Sequence, residues 1–123
     1  MRKDRFEVLV RRAVRKLPPE IRRRLDNVAI VVADWPGSHQ MARGKVGRPR
    51  DLLGLYEGVP LADRGSGYTM VPPDRITIFR RPIELVCSSD EEIEDQVRRV
   101  VLHEIGHHLG FSEQQLAELE RKL

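Results

Sequence analysis

Two histidines four residues apart, His103 and His107, enclose a glutamate, Glu104, in the run His103-Glu104-Ile105-Gly106-His107-His108-Leu109-Gly110-Phe111-Ser112-Glu113. This is the H-E-x-x-H spacing. On an α-helix, positions i and i+4 lie about 40° apart around the axis and one turn along it, so both imidazoles can reach one metal ion at roughly 2.0–2.1 Å. Glu104 then lies beside the ion without binding it. From there its carboxylate can take a proton from a metal-bound water whose pKa has fallen towards about 7. The chemistry this spacing serves is metal-assisted hydrolysis, with Zn2+ as the expected ion.

A third ligand is expected at Glu113, six residues past His107, which extends the pattern to H-E-x-x-H-x-x-G-x-x-E. Glu113 also suits a plainer role. It follows Ser112, a good N-cap, and Gln115 completes a capping box, so an acid in that first helical turn is ordinary. His108 points about 100° away from His107 and reads as a residue that supports a ligand or packs, rather than as a ligand itself. Gly106 costs a helix about 1 kcal/mol relative to alanine, which marks either the close approach of another segment or simple tolerance. Gly110 can take the left-handed position that turns the chain back.

The elements that must position these residues follow from periodicity and breakers. Ser89 with Glu92 forms a capping box, and Asp90, Glu91 and Glu92 load the first turn of a helix with acids. Ile93, Val97, Val100, Val101 and Ile105 give that helix its apolar stripe, and it runs to about Leu109. A last helix from Ser112 to about Arg121 packs through Leu116 and Leu119. At the other end, Phe6, Val8, Leu9, Val10, Ala13, Val14 and Leu17 recur at helical spacing over residues 4 to 17, and Pro18-Pro19 stops that helix and opens a short second one to Leu25.

Three segments read as extended. Val28-Ala29-Ile30-Val31-Val32-Ala33 is a β-branched run expected to be buried on both faces. Residues 52 to 61 form a strand ending in a turn, ahead of a glycine-rich loop over 63 to 68. Arg75-Ile76-Thr77-Ile78-Phe79-Arg80 puts Ile76 and Ile78 on one face and Thr77 and Phe79 on the other, and its flanking prolines and arginines suit a sheet edge. Such an edge can pair with an extended peptide. Residues 36 to 50, with four glycine or proline breakers besides Pro36 and the basic residues Arg43, Lys45, Arg48 and Arg50, read as a long basic loop. Residues 81 to 88 read as a connection through Ile83, Leu85 and Val86.

The totals bound the problem. At 123 residues the chain is expected to form one domain spanning 1–123, long enough for a modest core. One cysteine, Cys87, excludes a disulfide within the chain and reads as a small core residue. No apolar run approaches a membrane span and the N-terminus lacks a signal-peptide core, so a cytoplasmic protein is expected. Net charge is only +3, but the first 24 residues hold ten basic side chains against three acids, whereas Asp90 to Asp95 holds five acids. Such asymmetry serves either a basic binding face or a solvated helix surface.

With these residues in place, the chain resembles the small zincin-like metallopeptidases of bacteria, the mini-zincins. The likeness rests on His103 to Gly110, on Asp51-Leu52-Leu53-Gly54-Leu55-Tyr56-Glu57-Gly58-Val59-Pro60-Leu61, and on Arg75 to Arg80. It implies a compact α+β domain in which a small mixed sheet of three to four strands packs on helices, the active-site helix lying beneath an edge strand. It further implies His103 and His107 as zinc ligands, Glu104 as catalytic base and the position of Glu113 as third ligand. The related Asp-zincin pattern has aspartate where Glu113 stands, so either Glu113 or a water completes the site, and Glu118 stays open as a ligand from the last helix. No third histidine or methionine turn of the metzincin kind is present.

The expected function is therefore hydrolysis of peptide bonds by a zinc-activated water, on a peptide or protein substrate, with Tyr56, Tyr68 or His39 as donor to the oxyanion. Two other classes fit the same residues. A metal-dependent nuclease would use the basic N-terminus and loop to hold nucleic acid phosphates. A non-catalytic module would close its zinc with four protein ligands.

Overall fold

The computed structural model describes residues 2–58 and 74–123. Within them lie six helices, a 3-10 turn and one three-stranded mixed sheet, the α+β architecture expected. The far end of the 52–61 stretch, the glycine-rich loop and Tyr68 fall outside the described residues. Among the described residues, no helix is long and apolar enough to cross a membrane.

Helix α1 spans Lys3–Arg15 and α2 spans Pro19–Arg24, divided at Pro18. The phased apolar side chains of α1 bury Phe6, Leu9, Val10 and Ala13 against the long helix α5, Asp90–His108. Helix α5 starts where its sequence signals require: the Ser89 hydroxyl accepts from the Glu92 N–H at 3.1 Å. The acids of that first turn favourably face the positive end of the helix dipole. Its buried stripe includes Ile93, Val97, Val101, Leu102 and Ile105. Burying such aliphatic side chains contributes about 1.5–3 kcal/mol each.

Strands β1 (Val28–Ala33), β2 (Gly54–Gly58) and β3 (Asp74–Phe79) assemble in the order β1-β3-β2. Strand β3 is parallel to β1 and antiparallel to β2. Two expectations are corrected here. Strand β3 is central rather than an edge, because its prolines precede the strand and Arg75 within it keeps its N–H, which leaves the main chain from Asp74 to Phe79 able to pair on both sides. Strand β1 is an edge, only partly buried, with Val31 exposed; a three-stranded sheet gives it one neighbour.

Ile76 and Ile78 face the main core with Phe6, Val97 and Val101, as the alternation requires, whereas Phe79 joins Leu52 and Leu55 in a second small cluster. The basic loop is also corrected. Residues Ser38–Gly44 form α3 and Pro49–Asp51 a 3-10 turn. The breakers punctuate this segment instead of dissolving it: Gly37 precedes α3, Gly44 ends it, and Lys45 takes the left-handed conformation with φ 57°. The expected connection after β3 is helix α4, Arg80–Val86, whose Pro82 sits in the first turn, where a missing N–H costs nothing. Buried Arg80 donates from Nε to Asp34 at 2.9 Å and so ties the start of α4 to the end of β1.

Candidate metal centre

The last two turns of α5 and the final helix α6, Glu113–Glu120, form an antiparallel hairpin. The reversal is local chemistry. Gly110 adopts φ 80°, the Phe111 N–H donates to the Gly106 carbonyl at 2.8 Å, and the Gly110 N–H donates to the His107 carbonyl at 3.1 Å. This pair of bonds is the Schellman closure, which the left-handed glycine permits. Ser112 then caps α6, accepting from Gln115 N–H at 3.1 Å while Gln115 Oε1 accepts from Ser112 N–H at 2.8 Å.

Gly106 has a packing reason. A Cβ there would lie 2.3 Å from Leu116 Cδ2, and Leu116 is fully buried. The missing side chain lets α6 settle onto α5, and the contact sets what flanks it. On one side His107 Nε2 lies 3.4 Å from Glu113 Oε1; on the other His103 Nε2 meets Glu120 Oε1. The two imidazole rings are 5.9 Å apart, centre to centre, at 75°.

Glu104 turns to the sheet instead of α6. The Tyr56 N–H donates to its Oε1 at 2.8 Å. Because Leu53 accepts from Phe79 at 2.9 Å and Leu55 lies opposite Thr77, the polar main-chain atoms of Tyr56 point away from β3. Strand β2 is thus the edge over α5, and an outward N–H of that edge holds the glutamate. Burial pushes the Glu104 carboxyl up from the ordinary glutamate range, while the Tyr56 bond and the two imidazoles pull against that rise. It makes no ion pair among the described residues.

The neighbours fall into roles. His108 stacks on Tyr56 with ring centres 4.0 Å apart and lies 3.8 Å from Asp74, which is the packing role its helical angle implies. Tyr56 O–H donates to Asp74, and burial with that bond raises its pKa, so the hydroxyl is engaged away from Glu104. His39 is exposed on α3, whereas Glu118 is exposed on α6. Beside His103, Glu104 and Glu120 opens a groove of about 400 Å³ whose walls include Leu52, Leu53 and Val100. The motif gave no hint of Glu120, yet a signal exists in the sequence: it stands seven residues after Glu113, hence on the same face of α6.

Neutral imidazole nitrogens and carboxylate oxygens are the donors Zn2+ takes, so the residue types fit. They stand as two histidine–carboxylate pairs, and among the described residues no three metal-binding side chains already converge on one point. The family model of zincin-like metallopeptidases matches residues 25–123. A search of curated proteins found no match.

Proposed function

The chain belongs to the zincin-like metallopeptidase family, and from that premise we propose that it is a zinc-dependent peptidase with Glu104 as general base and His103, His107 and Glu113 as metal ligands. The observation that carries this reading is the state of Glu104. It sits partly buried between the two motif histidines in sequence, free of any cation among the described residues, with one oxygen anchored by Tyr56 N–H.

A bound zinc ion would supply a polarised carbonyl and a water acidified towards a pKa of about 7. The protein's own share is proton transfer. With Oε1 anchored, Glu104 offers Oε2 to the attacking water, to take its proton and pass it to the departing amine. The extended-substrate reading moves from β3, which is paired on both sides, to β2, whose outer edge lies beside the site. The neighbouring groove, with Leu52, Leu53 and Val100 in its wall, offers an apolar surface to a substrate side chain.

The test is Glu104→Gln. The variant is expected to fold and to bind zinc as the parent does, while hydrolysis of a denatured protein substrate falls by about 10²–10⁴-fold. Unchanged turnover of that substrate would remove Glu104 as the base.

A further inference from the structure

The H-E-x-x-H-x-x-G-x-x-E pattern accounts for Glu113 but leaves Glu120 without a role. Seven residues separate them, close to two full turns, so both carboxylates leave the same face of α6 with Leu116 between them. That face lies on α5 in antiparallel order: Glu113 at His107, Leu116 on Gly106, Glu120 at His103. The two carboxylates are not equivalent. The Glu113 side chain is 83% exposed and 3.4 Å from its histidine; the Glu120 side chain is 33% exposed, in contact with His103 Nε2, and lines the groove with His103 and Glu104.

The end of α6 is also held from outside, since Lys122 Nζ reaches Glu20 Oε1 at 3.4 Å. Glu120 has no Lys or Arg partner among the described residues, and its contact is one ring nitrogen. The contact is that of a ring N–H with a carboxylate oxygen, and the same two atoms are donors that Zn2+ takes in place of the proton, with a small separation of the pair.

We propose that Glu120 is a ligand of the divalent ion and the more firmly placed of the two carboxylates that α6 supplies, with Glu113 at the rim as the one that yields to water or substrate. This rests on the zinc reading above. It enlarges the donor set from the motif's own residues to one that depends on how α6 packs.

Zinc affinity of the full chain, measured by competition with a chromophoric chelator, tests it together with the visible absorption of the Co2+-loaded protein. Glu120→Gln is expected to weaken zinc binding by at least about 10–100-fold, on the scale seen when groups around a metal are lost, and to alter the Co2+ spectrum. Glu113→Gln should weaken it less. Unchanged or tighter binding in Glu120→Gln, or a larger loss in Glu113→Gln, overturns the proposal while leaving the zinc reading intact. A parent protein that binds no zinc removes the zinc reading itself. Far-UV circular dichroism reports folding, and if Glu120→Gln does not fold, Glu120→Asp decides: it keeps the charge but shortens the reach, and an unaltered affinity and Co2+ spectrum would refute the assignment.

Discussion

Replacing Gly106 with alanine sets two effects of opposite sign against each other. Alanine in a helix interior gains about 1 kcal/mol over glycine. The added Cβ, however, would stand 2.3 Å from Leu116 Cδ2, roughly 1.2 Å inside the ~3.5 Å at which carbon atoms rest. Leu116 is fully buried and cannot swing into solvent, so the clash is relieved by repacking its side chain within the core or by moving α6. Overpacking of this kind costs about 1–3 kcal/mol, which leaves Gly106→Ala about 0–2 kcal/mol less stable than the parent. The cleaner quantity is the coupling with Leu116→Ala in a double-mutant cycle followed by urea unfolding. Leu116→Ala alone should cost about 2–5 kcal/mol. In that background Gly106→Ala should turn stabilising, giving a coupling of about 1–3 kcal/mol. A coupling near zero, or a Gly106→Ala protein about 1 kcal/mol more stable than the parent, would show that Leu116 does not rest on Gly106.

Gly54→Ala tests the other wall of the site: its Cβ would lie 2.4 Å from Val100 Cγ1 and 3.2 Å from the Thr77 carbonyl oxygen, so a loss of about 1–3 kcal/mol in urea unfolding is expected. Wild-type-like stability would place β2 farther from α5. For Asp34→Asn the sign follows from Arg80, whose hydrogen bond and charge hold the Asp34 carboxyl below its ordinary range. Its contribution is therefore present above the unfolded value of about 4 and lost as pH falls through the lowered one. The gap in melting temperature between parent and variant should be open at neutral pH and close in acid; a gap that widens in acid contradicts the pairing.

Legibility in the sequence tracks the range of the interaction. The caps at Ser89 and Ser112, the stripe of α5 and the turn at Gly110 depend on neighbours a few residues away, and each stands where its residues indicate. So does the coexistence of His103, Glu104 and His107 on one helix. Strand order was not legible, because the pairing of Val28 with Asp74 or Gly54 with Ile78 leaves no trace in either strand alone. The same limit applies to the Tyr56 bond to Glu104, which joins residues 48 apart. Helices α3 and α4 were missed for a different reason: Gly37, Gly44 and Pro82 occupy helix ends, where glycine and proline are tolerated, and counting them as breakers hid the short helices they bound. Glu120 was overlooked because an exposed-looking acid near a chain end acquires meaning only from the helix opposite.

The Schellman reversal at Gly110 makes the histidine–carboxylate half of the site a contiguous hairpin of residues 103 to 120, whereas Glu104 is gripped by a strand from far upstream. The two halves therefore answer to different parts of the molecule. Loosening the sheet would leave the imidazoles facing their acids while freeing Glu104, and unclasping the hairpin would scatter the acids while the sheet still held the glutamate.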